Sequence, residues 1–241
     1  MSGRTYDRRD RYTTKCVWDW AKPKSILKNS NFLKLYKDFD MDELDTDKVW
    51  WAIHSNWESG GKRVDGIFKE ISDAYSLEEK CIKLWTMESP CYHILTQSLY
   101  EDNYEEIKRY MPIIRGMNKY IVTPTKKEYT CYRGSKMSKK MWDYYKEGNE
   151  YRAPSFGAMS QNIETCERFK DEYRILFKIP KNCWNAAPVK SYLTPFPSEE
   201  EVLMPPYTAF KVLKKWNGLK ELEVQVLDNK QVSEYASSAF I

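Results

Sequence analysis

An α+β fold, helices first and strands after, is what the sequence predicts, and three observations carry the prediction. Apolar residues recur at helical spacing from about residue 25 to 121. From about 128 to 241 the pattern shortens to runs of four to ten residues rich in Tyr, Phe, Val and Ile, several alternating, with Pro and Gly between them. The two textures do not interleave, which argues against a doubly wound parallel sheet. No linker separates them, so residues 16–241 read as one domain, helical over about 25–121 and β over about 128–241, behind a tail at 1–15.

The helical elements follow in order. IFKEISDAY leads into Ser76-Leu77-Glu78-Glu79, a capping-box pattern that opens the segment EEKCIKLWTMES. The next helix follows Pro90, with Ile94, Leu95, Leu99 and Tyr100 at helical spacing. A third starts near Asn103, whose capping partner three residues on is Glu106, and runs through Ile107, Tyr110 and Ile114 toward Tyr120. Pro112 falls inside it and is expected to kink it or begin a new turn.

Six runs read as strands: EYTCYR (128–133), APSFGAMS (153–160), YRILFKI (173–179), EEVLM (200–204), YTAFKVLKKW (207–216) and LKELEVQVL (219–227). Asn217-Gly218 between the last two is a strong hairpin signal. One helix interrupts, Asn162 to Lys170, with Asn162 as its N-cap.

Composition narrows the function. With 15% aromatic residues, nine Trp and eighteen Tyr among them, the chain has apolar surface that a folded core or lined cleft must bury, which excludes a disordered chain. The formal charge of +4 permits nucleic-acid binding without indicating it. Arg4, Arg8, Arg9, Arg11 and Lys15 crowd the first fifteen positions, where a mobile tail is expected. No run approaches about 18 apolar residues, so no transmembrane helix and no membrane partner are expected.

The six cysteines contain no CxxC pair, and the first residues lack the apolar stretch of a secretory signal, so reduced thiols and a cytoplasmic protein are expected. Only His54 and His93 exist, which removes multi-histidine metal sites; both read as structural, and no metal is expected. The acidic run Asp38 to Asp47 spaces Asp38, Asp40 and Asp42 like the first ligands of a Ca²⁺ loop. Glu43 stands where the turn glycine belongs and Val49 at the twelfth place, so it reads as a solvated loop or helix start.

Three stretches could carry chemistry. In Phe196-Pro197-Ser198-Glu199-Glu200-Glu201-Val202-Leu203-Met204-Pro205-Pro206, three carboxylates precede an apolar strand. In extended backbone Glu199 and Glu201 would share a face with Cα atoms about 7 Å apart, a separation that suits two carboxylates with different tasks. In Tyr132-Arg133-Gly134, a strand-end arginine offers a planar donor fork to a phosphate and the glycine lets backbone approach a ligand. The third is Pro154-Ser155-Phe156-Gly157-Ala158-Met159-Ser160-Gln161-Asn162, a strand running into a capped helix. Each alone also fits an ordinary charged strand edge, turn or cap.

Taken together, in this order and spacing, the three resemble the mono-ADP-ribosyltransferases of the arginine-serine-glutamate class, eukaryotic arginine-specific type. The segment LWTMESPCYHILTQSLYEDNYEEIKRYMPIIRGMNKYI is similar to the helical segment that precedes the arginine strand there, so the resemblance spans about residues 65 to 215. It implies a helical segment packed on a mostly antiparallel two-sheet β core that binds NAD as substrate. It implies transfer of ADP-ribose to arginine side chains of a protein partner, with release of nicotinamide.

Residue by residue, the resemblance implies that Arg133 anchors the phosphate and ribose region of NAD and that the Gly134 backbone binds the nicotinamide amide. Tyr132, Phe156 and Ser160 complete the implied cofactor-binding set. Glu201 would be the catalytic glutamate at the nicotinamide ribose, and Glu199 would orient and help deprotonate the acceptor. Residues Ser191 to Ser198, with Tyr192 and Phe196, would meet the target. Ala158 stands where family members carry the first serine of Ser-Thr-Ser, and Ser160 matches the second. The alternative this departure raises is an NAD glycohydrolase, or a weakened NAD-binding interaction protein, on the same fold.

Overall fold

The helix starts follow their caps in the computed structural model, which describes residues 30–39, 45–54, 71–87, 90–135, 137–169 and 173–227. Helix α1 (Asn31–Asp38) begins where Ser30 Oγ accepts the Leu33 amide at 2.9 Å. Helix α2 (Thr46–His54) begins where Asp45 accepts the Lys48 amide at 2.7 Å, so the end of the acidic run is a helix start. In α3 (Leu77–Thr86), Ser76 Oγ accepts the Glu79 amide at 3.2 Å, as the capping box requires. Helix α4 (Pro90–Glu101) places its proline in the first turn, where no amide donor is lost. Asn103 caps α5 (Tyr104–Ile121) through the Glu106 amide at 3.2 Å. The tail at 1–15, Asp40, Asp42 and Glu43 of the acidic run, residues 67–70 and the His54 side chain lie outside what is described.

Helix α5 is the centre of the helical half. Ile107, Tyr110, Met111, Ile114, Met117 and Ile121 are buried along it at helical spacing, against α1, α2, α3 and α4. It runs through Pro112 unbroken, so the proline begins no new helix. Gly116 lets α3 approach it closely: a Cβ there would stand 2.6 Å from Cys81 Sγ. No described helix is long and apolar enough to cross a membrane. The described cysteines, Cys81, Cys91, Cys131, Cys166 and Cys183, are buried free thiols.

The strands are β1 (Tyr129–Ser135), β2 (Glu150–Ala153), β3 (Gly157–Ser160), β4 (Tyr173–Ile179), β5 (Ala187–Pro188), β6 (Glu201–Met204), β7 (Thr208–Trp216) and β8 (Glu221–Val226). Among the described residues they form one sheet in the order β2-β7-β8-β4-β1-β3-β6-β5, antiparallel except for the β4/β8 pair. The two-sheet expectation is corrected: the halves are hydrogen-bonded into one sheet, but only Tyr132 and Ser160 stand opposite each other where β1 meets β3. The APSFGAMS strand is corrected as well. Pro154 has no amide to continue a ladder, and at that point the chain leaves β2, paired with β7, and crosses to β3, paired with β6.

Helix α6 (Lys139–Tyr144), β2 and β5 are elements the sequence pattern did not announce, each too short to show a period. Helix α7 (Ile163–Phe169) and the β7/β8 hairpin stand as expected, the hairpin closing through Trp216 and Glu221 around residues 217–220. Two apolar clusters result. One joins the helices to Phe156, Leu203 and Tyr207, and the other fills the sheet with Ile175, Phe177, Val212, Leu222 and Val224. Along β6, Leu203 faces the first cluster while Val202 and Met204 face the second, so this strand is wedged between the two cores.

Gly116→Ala is expected to lower stability by about 1 kcal/mol in a denaturant melt, because overpacking against Cys81 outweighs the gain in helix propensity. Combined with Cys81→Ala it should be less damaging than the sum of the two single changes, since the new methyl occupies space the sulfur vacates.

Candidate active site

The site gathers where β1, β3 and β6 meet. Seven register pairs with β4 fix β1, and Arg133 near its end is half-buried. Its Nη1 donates to the Ala158 carbonyl oxygen on β3 at 2.7 Å, so the guanidinium is held by backbone. Ser160 ends β3 and pairs in register with Glu201, the first residue of β6. Its hydroxyl donates to the Glu199 carbonyl oxygen and accepts the Asn162 amide at 2.9 Å. The Asn162 side chain caps α7 through the Glu164 amide at 2.9 Å, and the Gln161 amide donates to the Glu200 carbonyl at 3.2 Å. The start of α7 thus staples the acidic turn to β3.

The extended-backbone reading of Glu199 to Glu201 is corrected. Pro197–Glu199 is a single 3-10 turn, Glu200 is left-handed at φ 46 and ψ 50, and extended structure begins only at Glu201. The cause is local: Pro197 presets the turn, and the Glu200 amide closes it on the Pro197 carbonyl at 3.2 Å. A left-handed non-glycine residue is strained, and such strain gathers at functional sites. Glu200 is exposed, while Glu199 and Glu201 are half-buried.

The turn still brings the two outer acids within each other's field. Burial pushes the Glu201 carboxyl up to about 7, the negative charge of Glu199 adds to the rise, and Arg133 opposes it. Burial also raises Glu199, with Arg168 opposing. Among the described residues no side chain donates a hydrogen bond to the Glu201 carboxylate. Ala158, opposite Leu203 and packed against the helical cluster, cannot supply one, and the Ser160 hydroxyl is engaged with backbone.

Arg133 also lines a cavity with Tyr100, Arg152, Ser155, Phe156 and Met204. Arg152 is only 4% exposed; it donates from Nη1 to the Tyr207 carbonyl at 2.8 Å, while its Nε and the buried Ser155 Oγ have no partner among the described residues. Burial pushes the Arg152 guanidinium down to about 10. Sequence reasoning passed over Arg152 and Ser155: Arg152 lies in β2, a strand too short to show a period. Of the other expected residues, Tyr132 is half-buried opposite Ser160, and Gly134 pairs with Arg174. Phe156 is buried against Trp85 at 5.1 Å. His93 is exposed, its ring against Tyr92. Among the described residues no group of three or more His, Cys, Asp or Glu is placed to hold a metal ion.

A family model described as NAD:arginine ADP-ribosyltransferase matches residues 115–234, which span β1 to β8 and the site. No curated protein matches the chain. Among solved structures, Plx2a, an ADP-ribosyltransferase toxin from Paenibacillus larvae, is 21% identical with a TM-score of 0.52, over 72% of this chain and 97% of that one. The ADP-ribosyltransferase Vis from Vibrio splendidus, solved in complex with agmatine, is 16% identical with a TM-score of 0.52, over 83% and 93%. Exoenzyme S from Pseudomonas aeruginosa, solved bound to carba-NAD and in complex with a human 14-3-3 protein, is 14% identical with a TM-score of 0.53, over 70% and 84%. The chain therefore has the ADP-ribosyltransferase fold.

Glu201→Gln is expected to stabilise the protein at pH 8 by about 1–3 kcal/mol, since a raised carboxyl costs the folded state once it must ionise. The sign follows from proton counts. Between the ordinary glutamate value and about 7 the folded state holds the extra proton, so wild-type stability falls as pH rises through that window while the variant's does not. Melts at pH 4 should show the gain vanish.

Proposed function

We propose that this chain transfers ADP-ribose from NAD to arginine side chains of a protein, releasing nicotinamide. The observation that carries the reading is the meeting of Arg133, Glu199 and Glu201 at one sheet join, with Glu201 perturbed by both of the others. The fold and the family match support NAD as the donor. Vis, a structural neighbour, is solved with agmatine, itself a guanidine, and this supports an arginine-type acceptor.

The chemistry assigns roles. Breaking the bond between nicotinamide and ribose develops positive charge at the sugar, which the Glu201 carboxylate, placed in a half-buried site, stabilises electrostatically. Arg133 offers donors to the diphosphate, and Arg152 with Ser155 brings buried, unused donors to the same cavity. An incoming guanidinium is a poor nucleophile until it loses a proton, and Glu199, whose carboxyl is raised, is suited to accept that proton. A second reading, NAD glycohydrolase, is favoured by one observation: with alanine at 158, no described donor steadies the Glu201 carboxylate.

Nicotinamide release measured with and without agmatine tests both. Agmatine-stimulated release, lost by about a hundredfold or more in Glu201→Gln, is the expected outcome. Release that agmatine does not stimulate would select the hydrolase, and no release would remove both readings. Glu199→Gln should cut transfer to agmatine by about a hundredfold while leaving hydrolysis nearly intact. Because Glu201 must be ionised to act and sits at about 7, kcat/KM for NAD should rise from pH 6 to pH 8 with its midpoint near that value.

A further inference from the structure

A carboxylate in the helical half reaches across the molecule to the loop that runs into the acidic turn. Glu79 on α3 is 6% exposed, and a buried carboxylate is kept only where it is well partnered. Its Oε1 accepts Lys190 Nζ at 2.8 Å and the Tyr192 hydroxyl at 2.6 Å, from 111 and 113 residues away in sequence. Its Oε2 accepts the Tyr75 amide at 3.3 Å, so the same side chain completes the α3 cap. Lys190 Nζ donates in turn to the Tyr192 hydroxyl at 3.1 Å.

Neighbouring contacts reinforce the attachment. The Lys190 amide donates to the Tyr120 hydroxyl at 3.2 Å, and that hydroxyl donates to the Pro188 carbonyl at 3.2 Å. Thr86 Oγ1 donates to the Leu193 carbonyl at 2.7 Å, and the Leu193 side chain is fully buried. The backbone of 188–193 is therefore already secured by α3 and α5. What the Glu79 carboxylate adds is the orientation of the Tyr192 side chain, which is 50% exposed and set edge-on to Tyr75 at 6.5 Å and 83°. Phe196, 39% exposed, follows within the same loop, whose far end Ser160 holds through Glu199. Lys190 and Tyr192 together keep the Glu79 carboxyl below the usual carboxylate range, so it remains charged at neutral pH.

We infer that Glu79 is a positioning residue for the acceptor: directly and together with Lys190 it fixes the Tyr192 ring on the exposed face of the 191–198 loop, so that α3 belongs to the acceptor-binding apparatus. The inference rests on the proposed transferase reading. A surface ion pair alone contributes little, but here one partner is buried and a hydroxyl joins the pair, a network in which removal of one member disturbs the others.

The test compares full-length wild type, Glu79→Gln, Lys190→Met and the double variant, with poly-arginine as acceptor and NAD hydrolysis without acceptor as the internal reference. Glu79→Gln keeps the cap acceptor and the volume, and Lys190→Met leaves α3 untouched. Each single change should raise the KM for poly-arginine by about fivefold with hydrolysis unchanged, and the double variant should be no worse than the poorer single. Ser76→Ala, which weakens the same helix cap from its other side, should lower the melting temperature without moving the KM.

An unchanged KM in both single variants, equal loss of transfer and hydrolysis, additive losses in the double variant, or a matching KM shift in Ser76→Ala would each overturn the inference. A wild type that releases nicotinamide without any response to acceptor would overturn the transferase reading itself. That result is read from the parent protein and not from the variants.

Discussion

The sheet is joined across its middle by one residue pair, Tyr132 with Ser160, and the placement of the site depends on that join. Seven register pairs bind β1 to β4 and four bind β3 to β6, so each half is stiff while the seam between them is nearly open. Backbone polar groups near such a seam still require partners. The Ala158 carbonyl takes the Arg133 guanidinium, and the Glu199 carbonyl takes the Ser160 hydroxyl. Side chains do at the seam what a ladder would do elsewhere, and in doing so they are fixed in place. Burial of β6 by both cores completes the arrangement by holding Glu201 at the entrance of a strand that cannot swing away.

What was legible in the sequence was local. Ser76, Asn103 and Asn162 announce their helices because a cap involves only the next three residues, and the alternation in YRILFKI becomes the buried-and-half-buried pattern of β4. The candidate residues Arg133, Ser160, Glu199 and Glu201 were picked out by motif resemblance, and the fold brings them to one seam. The relation between the two acids was not. Three consecutive glutamates before an apolar run read as strand, whereas Pro197 starts a turn and Glu200 adopts a left-handed conformation that period-two reasoning has no means to foresee. The β1/β3 seam was equally invisible, because a sheet's pairing order is set by tertiary packing and not by the strands' own patterns. Arg152 and Glu79 were missed for a related reason: their meaning lies in contacts with residues 55 and more than 110 positions away.

The helical half is more than a support for the sheet. Phe156, just before β3, and Leu203 on β6 are buried in the helical cluster, and Trp85 of α3 packs on Phe156 at 5.1 Å. Any shift of α3 is therefore felt at the strand that carries Ala158 and Ser160. The polar contacts of Glu79 and Thr86 attach the same helix to the loop that leads to Glu199. One helix thus contacts both approaches to the acids, one through packing and the other through hydrogen bonds; on the proposed reading these are the NAD side and the acceptor side.

Several unfavourable features meet at this place, although Asp102, Asn182, Tyr207 and Lys220 are also left-handed and Thr96 and Asn118 also bury polar atoms with no partner among the described residues. Glu201 is held where ionisation is opposed, Glu200 is left-handed, and Arg152 is buried with no partner for its Nε among the described residues. At the site these features depart from the agreement of caps, alternation and packing around them, as functional constraints produce. The pattern of that disagreement has a sign. A cavity bordered by two arginines lacks negative charge, and a carboxylate pushed up by burial and by a second acid is only partly relieved by Arg133. NAD carries an anionic diphosphate and a cationic nicotinamide ring, so on the proposed reading it supplies both. Each charge of the donor would then relieve a cost the site otherwise bears. On that reading, as the cationic ring departs positive charge develops on the ribose, and Glu201 would lower the barrier by as much as it holds that charge more strongly than it held the ring's.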